Sequence, residues 1–102
     1  MKIKTLDVTA KSWFDRINGN SYFSAIVTVN YGMKTAKTLL LPFQYGYGDH
    51  FIDIAKDELV KAGLIKSDKM TALWRYCEEN KIILRTQKHV GCLKRDVVNW
   101  GI

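Results

Sequence analysis

The stretch LPFQYGYGDHFIDIAKDELVKAG, residues 41–63, changes period in the middle. Up to Phe43 it ends a run of apolar and β-branched residues. From Asp49 onward Phe51, Ile54, Ala55, Leu59 and Ala62 recur at the spacing of a helix face. Asp49 stands where an N-cap belongs, Lys61 falls in the last turn, and Gly63 fits the left-handed position just past the end. The spacing predicts a helix over 49–62, with Leu64 and Ile65 folded back on it.

Upstream the pattern is β throughout. Residues 36–43 read as a strand, and Pro42 near its end marks an edge strand or a strand terminus. Gly32 to Thr35 is a turn, and Tyr22 to Tyr31 (YFSAIVTVNY) a second strand. The NGNS at 18–21 contains Asn18-Gly19, which tolerates the positive φ that a tight hairpin requires at both central positions. Before it, Ile3, Leu6 and Val8 alternate with polar residues over 2–9, and KSWFDRI at 11–17 extends or kinks that strand. Trp13, Trp74 and Trp100 are expected in the core. If 11–17 is a strand, however, one of the neighbours Trp13 and Phe14 lies outside it.

Downstream, SDKM (67–70) is a linker and Thr71 to Asn80 a shorter helix marked by Leu73, Trp74 and Cys77. Residues 81–89 form a fourth strand broken by Gly91. The tail from Cys92 is a short helix closed by Gly101 or a last strand, with helix the preferred reading. The order βββααβ plus a tail element is an α+β fold: a three-stranded antiparallel meander, two helices, a fourth strand and a short C-terminal element. At 102 residues, without repeats or low-complexity tracts, 1–102 is one domain.

Composition narrows the classes. Apolar residues make up 47% and charged residues 25%, which suits a globular chain. The longest apolar run is far short of the roughly 20 residues of a membrane span, and the N-terminus has no signal-peptide core. The two cysteines, Cys77 and Cys92, read as reduced core or half-buried residues. The net charge of +6 is uneven. Residues 1–48 and 81–102 each carry +4, and residues 49–80 carry −2. Basic ends suit an acidic protein face, nucleic acid or an anionic membrane.

The chemistry-bearing patterns are thin. FQYGYGDHF (43–51) joins strand to helix as a dinucleotide fingerprint would, but the sixth position is Phe51 rather than glycine, and no Gly-Lys-Ser/Thr follows. Asp49 would set a carboxylate where a phosphate should sit. Gly46 and Gly48 are therefore expected to serve the turn, with no cofactor bound. His50, His89, Cys77 and Cys92 are the metal-type side chains, and only His89-x-x-Cys92 has ligand spacing, so no metal is expected. Neither cysteine has a nucleophile's surroundings. Asp53, Asp57 and Glu58 alternate with Lys56 and Lys61, which reads as a solvated face with an Asp57–Lys61 pair. No catalytic set emerges, and the chain is read as a non-enzyme. Phe43, Tyr45, Tyr47 and Phe51 cannot all enter one small core. Tyr45 and Tyr47 either lie on the sheet or stand out to stack bases or anchor a partner.

WFDRINGNSYFSAIVTVN and LPFQYGYGDHFIDIAKDELVKAGLI together resemble small uncharacterised accessory proteins of tailed bacteriophages, which carry a similar aromatic-Asn-Gly-Asn-aromatic hairpin and a Pro-Phe-x-Tyr-Gly-Tyr-Gly segment leading into a helix. The likeness covers roughly residues 1–65. It implies phage origin, an α+β fold and action by binding in the host cytoplasm, with no catalytic residues. The expected function is to bind and block a host protein or ribonucleoprotein complex, such as a CRISPR defence system. The alternative is direct binding of nucleic acid by basic residues and exposed aromatics. The expected binding residues are Tyr45, Tyr47, Lys88, Lys94 and Arg95.

Overall fold

A computed structural model describes residues 2–67 and 70–100. The chain runs β1 (Thr5–Asp15), β2 (Asn20–Val29), β3 (Lys37–Tyr45), α1 (His50–Lys61), α2 (Leu73–Glu79), β4 (Ile83–His89) and α3 (Lys94–Val98). The α+β order is the expected one, and the tail is a helix. Of the linker expected at 67–70, Asp68 and Lys69 lie outside the described residues, as does Gly101.

The four strands form one mixed sheet in the order β3-β2-β1-β4. The first three are antiparallel, and β4 pairs with β1 in parallel. A parallel partner cannot be reached through a tight turn, so the chain crosses over between β3 and β4 by way of α1 and α2. KSWFDRI does extend β1, which makes an 11-residue strand with alternating burial along Leu6, Val8, Ala10 and Ser12. Through the register these residues sit beside Val29, Val27, Ala25 and Phe23 of β2. That row faces α1 and α2. With Leu41, Phe51, Ala55, Leu59, Leu73 and Cys77 it makes the core, all of it 3% exposed or less.

The hairpin between β1 and β2 has a different shape from the two-residue turn expected. Asp15 pairs with Asn20 across a four-residue loop, and the Gly19 amide donates to the Asp15 carbonyl at 2.8 Å. Gly19 has φ of +69°, while Asn18 is not among the residues with positive φ. The Asp15 carboxylate shapes the loop by accepting from the Ile17 and Asn18 amides (3.0 and 3.3 Å) and from the Asn18 side chain (2.8 Å). A side chain that bonds its own backbone replaces the second positive-φ residue.

Asn30, after β2, is fully buried with φ of +53°. Its Oδ1 accepts from the Lys4 amide at 2.7 Å, and its Nδ2 donates to the Lys2 carbonyl and the Thr35 hydroxyl, both at 3.0 Å. It thus clips the first residues of the chain to the β2–β3 turn.

Helix α1 ends as expected. Gly63 has φ of +73°, and the Leu64 amide returns to the Leu59 carbonyl at 3.0 Å, the reach that closes a Schellman turn. Three local expectations need correction. Asp49 is the N-cap by position but makes no side-chain capping hydrogen bond. Lys61 turns to Glu58 at 3.6 Å rather than to Asp57. Lys56 is buried, its ammonium donating to the Thr71 carbonyl, because a long side chain on a core-facing turn can end on a backbone oxygen. Trp74 also departs from the expectation, standing 61% exposed on the outer side of α2 while Leu73 and Cys77 fill the inner side.

Helix α3 does not join α1 and α2. Val97 is fully buried yet stands outside the core cluster. Lys94 caps Trp13, and Lys11 lies under Trp100; Trp13 and Lys11 alternate with the core row of β1. The tail therefore packs on the second face of the sheet, over Ser24, which is buried with no hydrogen-bond partner for its hydroxyl.

Candidate functional site

On that second face the aromatic residues come together. Trp13, Tyr22 and Tyr45 are direct neighbours across β1, β2 and β3. Phe43 joins them because of a bulge in β3. Opposite Phe23 and Ala25 the register shifts, so Pro42 and Phe43 together face Ser24. Leu41 points into the core, and the extra residue turns Phe43 and Tyr45 to the other side. Pro42 sits where its missing N–H does no harm, on the edge strand; the strand does not end there but continues to Tyr45.

The rings form a connected set. Tyr22 stacks on Phe43 (centroids 5.1 Å apart, 9° between planes) and on Trp13 (5.6 Å, 30°). Tyr45 meets Tyr22 edge-on at 5.9 Å, and Tyr47 meets Tyr45 edge-on at 6.5 Å. The Lys94 ammonium lies 5.4 Å from the centre of the Trp13 ring. Each such pair is worth about 0.5–1.5 kcal/mol beyond the area it buries. The inner rings are half-buried, whereas Tyr45 and Tyr47 are 56% and 70% exposed.

Of the residues expected to bind, the structure joins Tyr45, Tyr47 and, through Trp13, Lys94. Lys88 is elsewhere. Its register partner Ala10 belongs to the core row, so Lys88 leaves the sheet on the α1 side. Its ammonium donates to the Gly48 carbonyl at 2.8 Å, near the Phe51 ring. Arg95 is exposed on α3, one residue beyond Lys94. Arg85, another of the C-terminal basic residues, is bound to the Asp7 carboxylate at 2.7 and 3.0 Å.

Two clefts flank the rings. One of about 480 Å³ is lined by Tyr45, Gly46, Tyr47, Asp49, His50 and Asp53. The other, about 460 Å³, lies between the β1–β2 hairpin and the loop after β4, where Phe14, Ile17 and Leu93 are exposed. Sequence reasoning missed this second cleft. Its one signal is an isoleucine beside an Asn-Gly turn, and Ile17 is 93% exposed.

The glycines of the β3–α1 loop divide their work. Gly48 has φ of +59° and open space around it, so its role is conformational. Gly46 does not have positive φ. A Cβ there would stand 2.6 Å from Cε1 of Phe23 and 2.7 Å from Cδ2 of His50, so Gly46 permits close packing rather than a turn.

Cys77 is buried, which pushes its thiol up to about 11, and Cys92 is half-buried with its thiol against the His89 carbonyl at 3.4 Å. Among the described residues no three His, Cys, Asp or Glu side chains gather where they could hold a metal ion, and no helix is long and apolar enough to cross a membrane. No family model matches the chain, and no curated protein or solved structure matches it.

Proposed function

We propose that the protein is a non-enzymatic accessory protein of the tailed-phage kind that binds a host macromolecular complex in the host cytoplasm and blocks it. The observation that carries this reading is the exposed Tyr45–Tyr47 pair, held by the Trp13–Tyr22–Phe43 stack on a strand rather than on a loose loop. Rings ordered before binding lose little freedom on docking, and desolvated tyrosines are typical anchors of protein interfaces. Lys94 and Arg95 supply charge beside them, which raises the encounter rate more than it adds affinity. The phage likeness and the net charge favour a complex that handles nucleic acid, such as a CRISPR defence complex.

The test is capture from host lysate with and without nuclease, followed by binding rates for variants. Tyr45→Ala and Tyr47→Ala should keep their melting temperatures, since both rings are exposed. Each should raise the off-rate by roughly 30-fold, corresponding to the ~2 kcal/mol of an anchor. Lys94→Glu with Arg95→Glu should mainly slow association. Tyrosine variants that keep both fold and full affinity would place the interface elsewhere.

Direct nucleic-acid binding is the second reading. It draws on the lysines paired with indoles, Lys94 with Trp13 and Lys11 with Trp100. Against it, the Trp13, Tyr22 and Phe43 faces are already stacked on one another, which leaves them poor platforms for bases. A mobility shift of short DNA that fades steeply with salt would favour this reading.

A further inference from the structure

The cleft beside Tyr45 carries the opposite charge to the chain. The protein is +6 overall, yet the residues lining this cleft include two carboxylates, Asp49 and Asp53, and neither lysine nor arginine. Among the described residues neither carboxylate is in an ion pair. Asp49 occupies the N-cap position without bonding the helix amides, so its oxygens are not spent on the helix. The positive pole of α1 offsets about half a charge, which leaves two full negative charges in excess. Lys88, bonded to the Gly48 carbonyl, is not part of the lining. The remaining walls are the exposed rings of Tyr45 and Tyr47, whose π faces are also negative, and His50, which meets Phe23 edge-on at 6.3 Å.

A cleft walled by negative ring faces and unpaired carboxylates selects a cation. The walls ask for two kinds of contact at once: a flat cation against an aromatic ring, and donors directed at carboxylate oxygens. Guanidinium supplies both, while an ammonium offers a compact and strongly hydrated charge. A phosphate backbone entering the same cleft would meet two like charges. We infer that this cleft receives an arginine side chain of a protein partner, stacked on a tyrosine ring and hydrogen-bonded to Asp49 and Asp53. The inference rests on the reading of Tyr45 and Tyr47 as anchors and narrows their partner from a macromolecule in general to an arginine-bearing protein surface.

The experiment titrates the isotopically labelled full chain with a capped Gly-Arg-Gly peptide and follows the NMR signals of Tyr45, Tyr47 and Asp53. Capped Gly-Lys-Gly and Gly-Gln-Gly peptides and a short single-stranded oligonucleotide serve as comparisons. The arginine peptide should shift all three signals saturably, the lysine peptide more weakly, and the glutamine peptide not at all. Asp49→Asn with Asp53→Asn should weaken the arginine peptide roughly tenfold, as loss of charge-assisted hydrogen bonds does, and Asp53→Glu should retain most of the binding. Both sites are exposed, and melting temperatures verify the fold. No shift with arginine at concentrations that saturate an ordinary weak site overturns the inference. So does an oligonucleotide that moves the same signals and binds more tightly to the double Asn variant, since removing negative charge helps only an anionic ligand. Captured partner separates the two readings. If Tyr45→Ala loses the partner and the double Asn variant keeps it, the anchor reading stands and the arginine inference fails. If the tyrosine variants keep the partner, the anchor reading fails and takes the inference with it.

Discussion

Gly46 and Gly48 stand two residues apart and are glycine for unrelated reasons, which substitutions can separate. Gly46→Ala places a methyl group into Phe23 and His50 and should cost about 1–3 kcal/mol, as overpacking does. Gly48→Ala meets no atom but must hold a left-handed φ, at a cost of about 1–2 kcal/mol. Asparagine should soften the loss at 48, where it tolerates that φ, and deepen it at 46, where it is larger. Urea unfolding of the four variants checks the pattern, and equal effects at the two sites would contradict it. Asp15 offers a test by pH. Its carboxyl is held below the usual value of 3.8, first by the hydrogen bond from the Asn18 side chain and then by the Asn18 and Ile17 amides, with Lys94 adding attraction. A carboxyl lowered in the folded state stabilises it above the unfolded value, and that contribution disappears as pH falls through the folded value. The hairpin loop should therefore be unchanged from neutral pH down to about 4 and loosen below it. The Ile17 and Asn18 amide signals report this directly, and Asp15→Asn should remove the transition.

At the scale of elements, what the sequence made legible depended on periodicity. β1, β2 and α1 have one buried side each, so alternation at Leu6, Val8 and Ala10, and helical spacing at Phe51, Ala55 and Leu59, identified them with ends off by a few residues. Alternation says nothing about neighbours, so the parallel pairing of β4 with β1 was not readable. Nor was the bulge at Pro42, which depends on what β2 presents opposite it. This is why Tyr45 and Tyr47 could be marked as a pair while their link to Trp13 and Lys94 could not, and why Lys88 was grouped with residues on the other side of the sheet. Helix α3 has only five residues and no side-chain cap, too little for a pattern. Its packing over Ser24 makes a prediction of its own. The Ser24 hydroxyl is buried without a partner, so Ser24→Ala should stabilise the protein by about 1 kcal/mol in denaturant titration. A loss of stability would mean that the hydroxyl is bonded in solution.

The whole molecule is a slab, 44 × 30 × 20 Å, with one sheet as its middle layer. Two helices cover one broad face and a short tail covers part of the other, so the face with the weaker cover carries the aromatic set. Joining the first strand to the last also fixes an order of events. Arg85 meets Asp7 across 78 positions of chain, whereas β1 and β2 meet across a four-residue loop. Closing the long loop costs more entropy and is expected late. Refolding should therefore begin in the meander, with φ-values well above one half for Val8→Ala and Val27→Ala and near zero for Leu84→Ala, whose main effect would be faster unfolding in stopped-flow measurements. On the ribosome the same order leaves one edge of β1 bare until residues 83–89 have emerged. A chain cut short before that point keeps an open strand edge in its first fifteen residues, and such fragments should pair with one another and aggregate, while the complete chain closes that edge with its own last strand.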